Sequence, residues 1–196
     1  SMFHTVFNLI NLSIMIWFTK LYVKIVEWIV PARKKSDDEF GLKFIQGGLL
    51  SSSELNIAQA EKEIAVYAER VGRMIGMAHE LIHTKENSEE FNKLLSRIEK
   101  YEDISDRMEI EIANYLNHTA EGRLSNEGKL KIAGMLNIIS EIESIADCCY
   151  GIGKIMVRKS ESHAESTDEI YANIDALYKY LTEANDLMVS LLQNIE

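Results

Sequence analysis

Beyond about residue 50 the apolar positions recur three and four residues apart, and the strict apolar/polar alternation of a half-buried strand is nearly absent. Four long helices follow from this pattern. Ser51 with Glu54 reads as a capping box opening a helix that runs to about Thr84, and Asn87 with Glu90 opens a second that reaches about His118. Ser125 caps a third lasting to about Lys159, and Ser166 with Glu169 opens a fourth that runs nearly to the C-terminus. The short connections make antiparallel neighbours in an all-α bundle the natural arrangement. The second helix buries the stripe Leu94, Ile98, Tyr101, Ser105, Met108, Ile112 and Leu116. The third buries Ile132, Met135, Ile139, Ile142, Ala146, Cys149 and Met156. Met74, Met77 and Met188 also fall on or near apolar stripes and read as core.

Residues 1–30 differ in kind from the rest of the chain. Phe3 to Thr19 contains no Lys, Arg, Asp or Glu, and apolar character continues to Val30. A helix from Phe3 to Val30 is about 42 Å long at roughly 1.5 Å per residue, enough to cross a bilayer, with Trp17 and Trp28 as interfacial anchors. Pro31 ends it, and the cluster Arg33, Lys34 and Lys35 places the chain beyond it in the cytoplasm by the positive-inside rule. Neither a basic start nor small residues at the end mark this stretch as a cleaved signal peptide, and the initial Ser fits a fragment of a longer protein. Residues 31–53 then read as a juxtamembrane linker whose charge flips from Arg33-Lys34-Lys35 to Asp37-Asp38-Glu39 before the Gly47-Gly48 break, with the bundle occupying residues 54–196.

One acidic pattern occurs twice. Glu102 precedes Asp106 by four residues on the second helix, and Glu143 precedes Asp147 by four on the third. Residues at this spacing share a helix face, so each pair aims two carboxylates at one spot. Both pairs lie about a quarter turn from their apolar stripes, on the same side, so packing the stripes together carries both pairs to the rim of the core. Glu99 and Glu109 extend the first line. Like charges at helical spacing repel by a few tenths of a kcal/mol per pair, and a shared cation offsets that. An all-oxygen set suits iron, manganese, magnesium or calcium, with zinc less favoured. The plain alternative is a solvated acidic face on a metal-free helical scaffold.

A second motif competes. His79-Glu80-Leu81-Ile82-His83 spells the H-E-x-x-H of zinc peptidases, two imidazoles one turn apart with Glu80 as general base. Such enzymes hold substrate along a strand, which this pattern does not offer, and no third ligand is evident downstream. Gly72 and Gly76 lie on the same stripe at a spacing that admits a close neighbouring helix, so His79 and His83 read as contact residues first and additional metal ligands second.

Charge and cysteine content narrow the partners. The formal net charge is −10, and residues 49–196 hold 15 basic against 27 acidic residues, the opposite of a nucleic-acid surface. Free phosphate is repelled unless a metal intervenes. Cys148 and Cys149 are helical neighbours that point apart and read as reduced thiols.

With both acidic phrases in hand, EKYEDISDRMEIEI and ISEIESIADCCYGIGKI, the stretch from about residue 52 to 159 resembles the PhoU-like family of phosphate-uptake regulators. One repeat of that family is three long helices with acidic motifs on the second and third. The resemblance implies that Glu102, Asp106, Glu143 and Asp147 ligate metal, iron first, with zinc, manganese or magnesium as alternatives. It implies a non-enzymatic regulator. The N-terminal phrase FHTVFNLIN, its apolar helix and VPARKK resemble the last membrane helix of bacterial sodium-dependent phosphate cotransporters, which often carry a PhoU-like domain behind it. The glutamine-serine-rich repeats of the transport pathway do not occur here, and one three-helix repeat plus a fourth helix replaces the two repeats of complete PhoU proteins. The implied setting is the inner membrane with residues 31–196 cytoplasmic. The implied partners are the membrane portion of the transporter, the bilayer through residues 1–30, and a second copy of the chain, without nucleic acid.

Overall fold

A computed structural model describes residues 40–162, 164 and 166–193, together with the helical residues 4, 5, 7 and 8. The chain divides into two compact units, residues 1–36 and 37–196. The expected membrane helix over residues 1–30 lies, but for those four residues, outside the described residues, as does the linker up to residue 39. Among the described residues no helix is long and apolar enough to cross a membrane.

The second unit holds four helices and, among the described residues, no strand: α1 (Ser53–His83), α2 (Glu89–Ala120), α3 (Asn126–Ser162) and α4 (Asp168–Gln193). Each expected helix is present, with ends displaced by up to three residues. The caps shift by one position in three cases. Ser52, not Ser51, precedes α1, and its hydroxyl donates to the Glu54 carboxylate at 3.1 Å. Ser88 rather than Asn87 caps α2, accepting the Phe91 N–H at 3.1 Å, while Asn87 takes the left-handed turn conformation that asparagine tolerates. Thr167 rather than Ser166 accepts the Ile170 N–H at the start of α4. Ser125 caps α3 as expected, accepting from Gly128 at 3.0 Å. In runs of adjacent Ser, Thr and Asn the backbone geometry selects which oxygen reaches an orphan N–H, and composition alone does not.

Helices α1, α2 and α3 pack mutually, whereas α4 packs chiefly along α1 and meets α3 through the Lys159 ammonium, which donates to the Tyr171 hydroxyl at 3.3 Å. Asn56 meets Tyr115, and Tyr67 meets Ser105, so α1 and α2 are antiparallel. Lys131 reaches Glu61 at 2.6 Å and Lys159 reaches Glu86, just past the end of α1, at 2.6 Å, so α3 runs parallel to α1. Every member of the two expected stripes is buried. Helix α1, with neighbours on three sides, buries residues around much of its circumference, from Ile57 and Ala60 to Leu81 and Ile82. Cys149 is buried beside exposed Cys148, and both are free.

Residues 40–50, expected as linker, dock on the bundle. Glu63, fully buried, accepts the Lys43 N–H on both carboxylate oxygens at 3.0 and 2.8 Å and the Phe44 N–H at 2.5 Å. Asn56 accepts the Leu50 N–H at 2.7 Å, and the Arg107 guanidinium covers the Phe40 ring at 3.8 Å. A buried N–H left without an acceptor costs about 1–3 kcal/mol. Glu63→Ala takes the acceptor from two part-buried N–H groups at once. It is expected to lower stability by about 2–4 kcal/mol in urea unfolding and to open residues 40–50 to proteolysis, while Glu63→Gln, which keeps an acceptor oxygen, loses less.

Candidate functional site

The acidic motifs converge because α2 and α3 cross closely and in opposite directions. At Gly153 a methyl group would stand 3.1 Å from Leu95 and 3.9 Å from Ile98, an approach that registers the first third of α2 against the last third of α3. One turn of α2 and one of α3 then face each other at the rim. One carboxylate oxygen each from Glu102, Asp106 and Asp147 lie within 4.8 Å of one another. Glu102 is half-buried, and the two aspartates are exposed.

The remaining expected ligands divide. Glu143, half-buried, stands outside that triplet but lies in the field of Asp147, Glu109 and Asp106. Glu109 faces Asp106 and Asp147. Glu99 does not join them. It is exposed and its charge falls on the Tyr150 phenol instead. Asp103, which the four-residue spacing passes over, adds to the field at both Glu102 and Asp106.

Electrostatics record the crowding. Burial raises the affinity of Glu102 for its proton above the ordinary carboxylate value, reinforced by Asp106, Asp103 and Asp147 and relieved by Lys154. Asp106 is raised by burial, Asp147 and Asp103, and Glu109 by burial, Asp106 and Asp147. Glu143 is raised by burial first, then by Asp147, Glu109 and Asp106. Four carboxyls displaced in one direction mark negative charge that the protein itself leaves under-compensated. Directly behind them, Tyr67 of α1 and Ser105 of α2 share a buried hydrogen bond of 2.7 Å. The phenol is pushed up by burial, eased by Ser105, and pushed further by Glu109, Glu143 and Asp106. A set of oxygen donors from two helices, backed by a dry wall, has the chemistry that a hard cation takes.

A second cluster sits between α1 and α4. His79 Nε2 and His83 Nε2 lie 2.8 and 2.7 Å from the same Asp175 Oδ1. Their rings meet edge to face at 5.0 Å; Tyr178 stacks on His79 at 4.6 Å and Tyr171 tilts over His83 at 5.5 Å. The two hydrogen bonds hold Asp175 below the ordinary carboxylate value. The H-E-x-x-H stretch therefore has a third donor, contrary to expectation. It escaped the sequence because the donor comes from a different helix, although Tyr171, Asp175 and Tyr178 do recur on one face of α4. The strand that a peptidase of this type uses is not found among the described residues. Of the two glycines on this face, Gly72 meets α4 and Gly76 faces open space.

The fold is an all-helical bundle whose second and third helices share a carboxylate-rich rim. Residues 64–156, from inside α1 to near the end of α3, match the PhoU domain, and the chain carries a PhoU-like domain. Searches of curated proteins and of solved structures returned no significant match.

Proposed function

We propose that residues 40–193 form a regulatory domain of phosphate homeostasis that works by loading a cation on the α2/α3 rim. The observation that carries this reading is the convergence of Glu102, Asp106 and Asp147 from two helices inside the stretch matching the PhoU domain. Glu143 completes the set through Asp147, and Glu109 supplies further negative field. Iron fits these hard donors first, with manganese, magnesium or zinc as alternatives. When bound, the ion supplies positive charge on a domain that otherwise repels anions, and with it a place for phosphate or an anionic partner to dock. The residues hold and orient; no group here is assigned a bond-breaking role, and the domain regulates rather than catalyses.

The wider setting belongs to the same proposal. Residues 1–30 anchor the chain in the inner membrane beside a sodium-dependent phosphate transporter, and the domain faces the cytoplasm, where its packing state biases the transporter. The apolar sequence of residues 3–30 and the basic cluster behind it support this placement.

The test is elemental analysis of untagged protein loaded with ferrous iron or Mn2+ under reducing conditions and then dialysed, followed by equilibrium binding of inorganic phosphate. Bound metal and metal-dependent phosphate binding, both lost in Asp106→Asn/Asp147→Asn, are expected. Metal retained undiminished by that variant, or no metal at all, overturns the rim as the site and favours a metal-free scaffold.

A further inference from the structure

We propose that His79, His83 and Asp175 form a second metal site, for Zn2+ or a similar late first-row divalent cation, that staples α4 onto α1. It shares no residue with the α2/α3 rim and stands whether or not the rim binds metal.

Three features carry the assignment. Two imidazoles one turn apart on α1 aim the same ring atom, Nε2, at a single carboxylate oxygen contributed by α4, with all three donor atoms within 4.8 Å of one another. Zinc bonds to imidazole nitrogen and carboxylate oxygen of about 2.0–2.2 Å separate tetrahedral donors by about 3.3 Å. The observed 2.7 and 2.8 Å therefore need an outward movement of about half an ångström, which half-exposed side chains supply by small rotations. The ring planes are already held: Tyr178 stacks on one imidazole, Tyr171 leans on the other, and Tyr178 is itself buried. Imidazoles fixed in this way lose little freedom on binding. Finally, His79, His83 and Asp175 retain 39, 40 and 48% of their side-chain exposure, which leaves room for water to complete the coordination.

The donor chemistry separates this site from the rim. Two nitrogens and one oxygen select late first-row divalent cations, whereas the all-oxygen rim selects hard ones. Its position gives it a job. Helix α4 buries only Tyr178 and Asn185 and packs chiefly along α1, its other apolar contacts with the core, such as Ile174, Leu181 and Val189, being partly buried, so it is the helix held least deeply. A cation bridging residues 79 and 83 to residue 175, far apart in sequence, closes α4 onto the bundle at the end where it begins.

The experiment uses the whole chain purified without a histidine tag, in the rim-disabled form Asp106→Asn/Asp147→Asn, titrated with Zn2+ against a chromophoric chelator. One equivalent of Zn2+ is expected to bind, with affinity falling about 100-fold on adding His83→Gln or Asp175→Asn, and backbone amides of α4 are expected to exchange about tenfold more slowly with metal. The unaltered protein gives a reading that no misfolded variant can confuse: 15N-labelled imidazoles of His79 and His83 shift at Nε2 on addition of Zn2+. Absence of a bound equivalent in the rim-disabled protein, affinity unmoved by His83→Gln and Asp175→Asn, or imidazole nitrogens that stay still overturns the site and leaves a hydrogen-bonded His-Asp-His cluster only.

Discussion

Saturating the metal-free protein with Mn2+ or ferrous iron at about 100 times its dissociation constant is expected to raise the thermal midpoint by about 5–10 °C. The ligand term is about 2.7 kcal/mol at that excess, and a chain of this size shifts about 2–4 °C per kcal/mol. The metal-free protein should show the opposite of ordinary acid sensitivity in one window. Glu102, Asp106, Glu109 and Glu143 all have proton affinities raised in the folded state, above the ordinary 4.5 of glutamate and 3.8 of aspartate. A raised carboxyl favours folding when protonated, and that contribution is lost as pH climbs through the folded value. Lowering the pH of the metal-free protein from neutrality toward the ordinary carboxylate values therefore relieves this cost and stabilises it, while the metal increment shrinks because protons compete for the same oxygens. Asp106→Asn/Asp147→Asn should raise the metal-free stability slightly, by about 0.5 kcal/mol as repulsion is relieved, and abolish the metal shift. Differential scanning calorimetry across pH with and without metal reads all of these outcomes. A metal-free protein that loses stability over this window contradicts the electrostatic picture of the rim.

Replacing Gly72 with leucine is expected to displace α4 while leaving the three-helix core folded. A Cβ at this position would lie 2.5 Å from Asn185 Nδ2, and Asn185 is one of only two buried residues of α4. Gly72→Ala gains helix propensity of about 1 kcal/mol and asks only for a swing of the Asn185 amide, so its net effect is small. Leucine has no such escape, and overpacking of this kind costs about 1–3 kcal/mol. Amide exchange should show lost protection along Asp168–Gln193 with protection retained in Glu89–Ala120 and Asn126–Ser162. Uniform loss across all helices would mean instead that α4 is integral to the core.

The helices and their buried faces were legible because the 3.6-residue period is strong. Each of the fourteen stripe positions on α2 and α3, Leu94 to Leu116 and Ile132 to Met156, is buried. The convergence of Glu102 and Asp106 with Asp147 was legible for the same reason, since two equal angular offsets from two packed stripes must meet. Glu99 was not separable from its neighbours, because its place depends on how far α2 overlaps α3. Two features could not be read at all. Asp175 joins His79 and His83 only through the packing of α4 on α1, and the docking of residues 40–50 rests on Glu63, which in sequence is one more acid on an acidic helix. Both are long-range polar contacts, and periodicity carries no information about those.

The phenol of Tyr67 stands on the dry side of the acidic rim, hydrogen-bonded to Ser105 and out of reach of solvent. Its electronic environment is therefore governed by the net charge just outside it, and a cation arriving among the carboxylates changes that charge without touching the ring. Ultraviolet difference absorption of one native tyrosine thus becomes an unlabelled gauge of occupancy, read from inside the molecule.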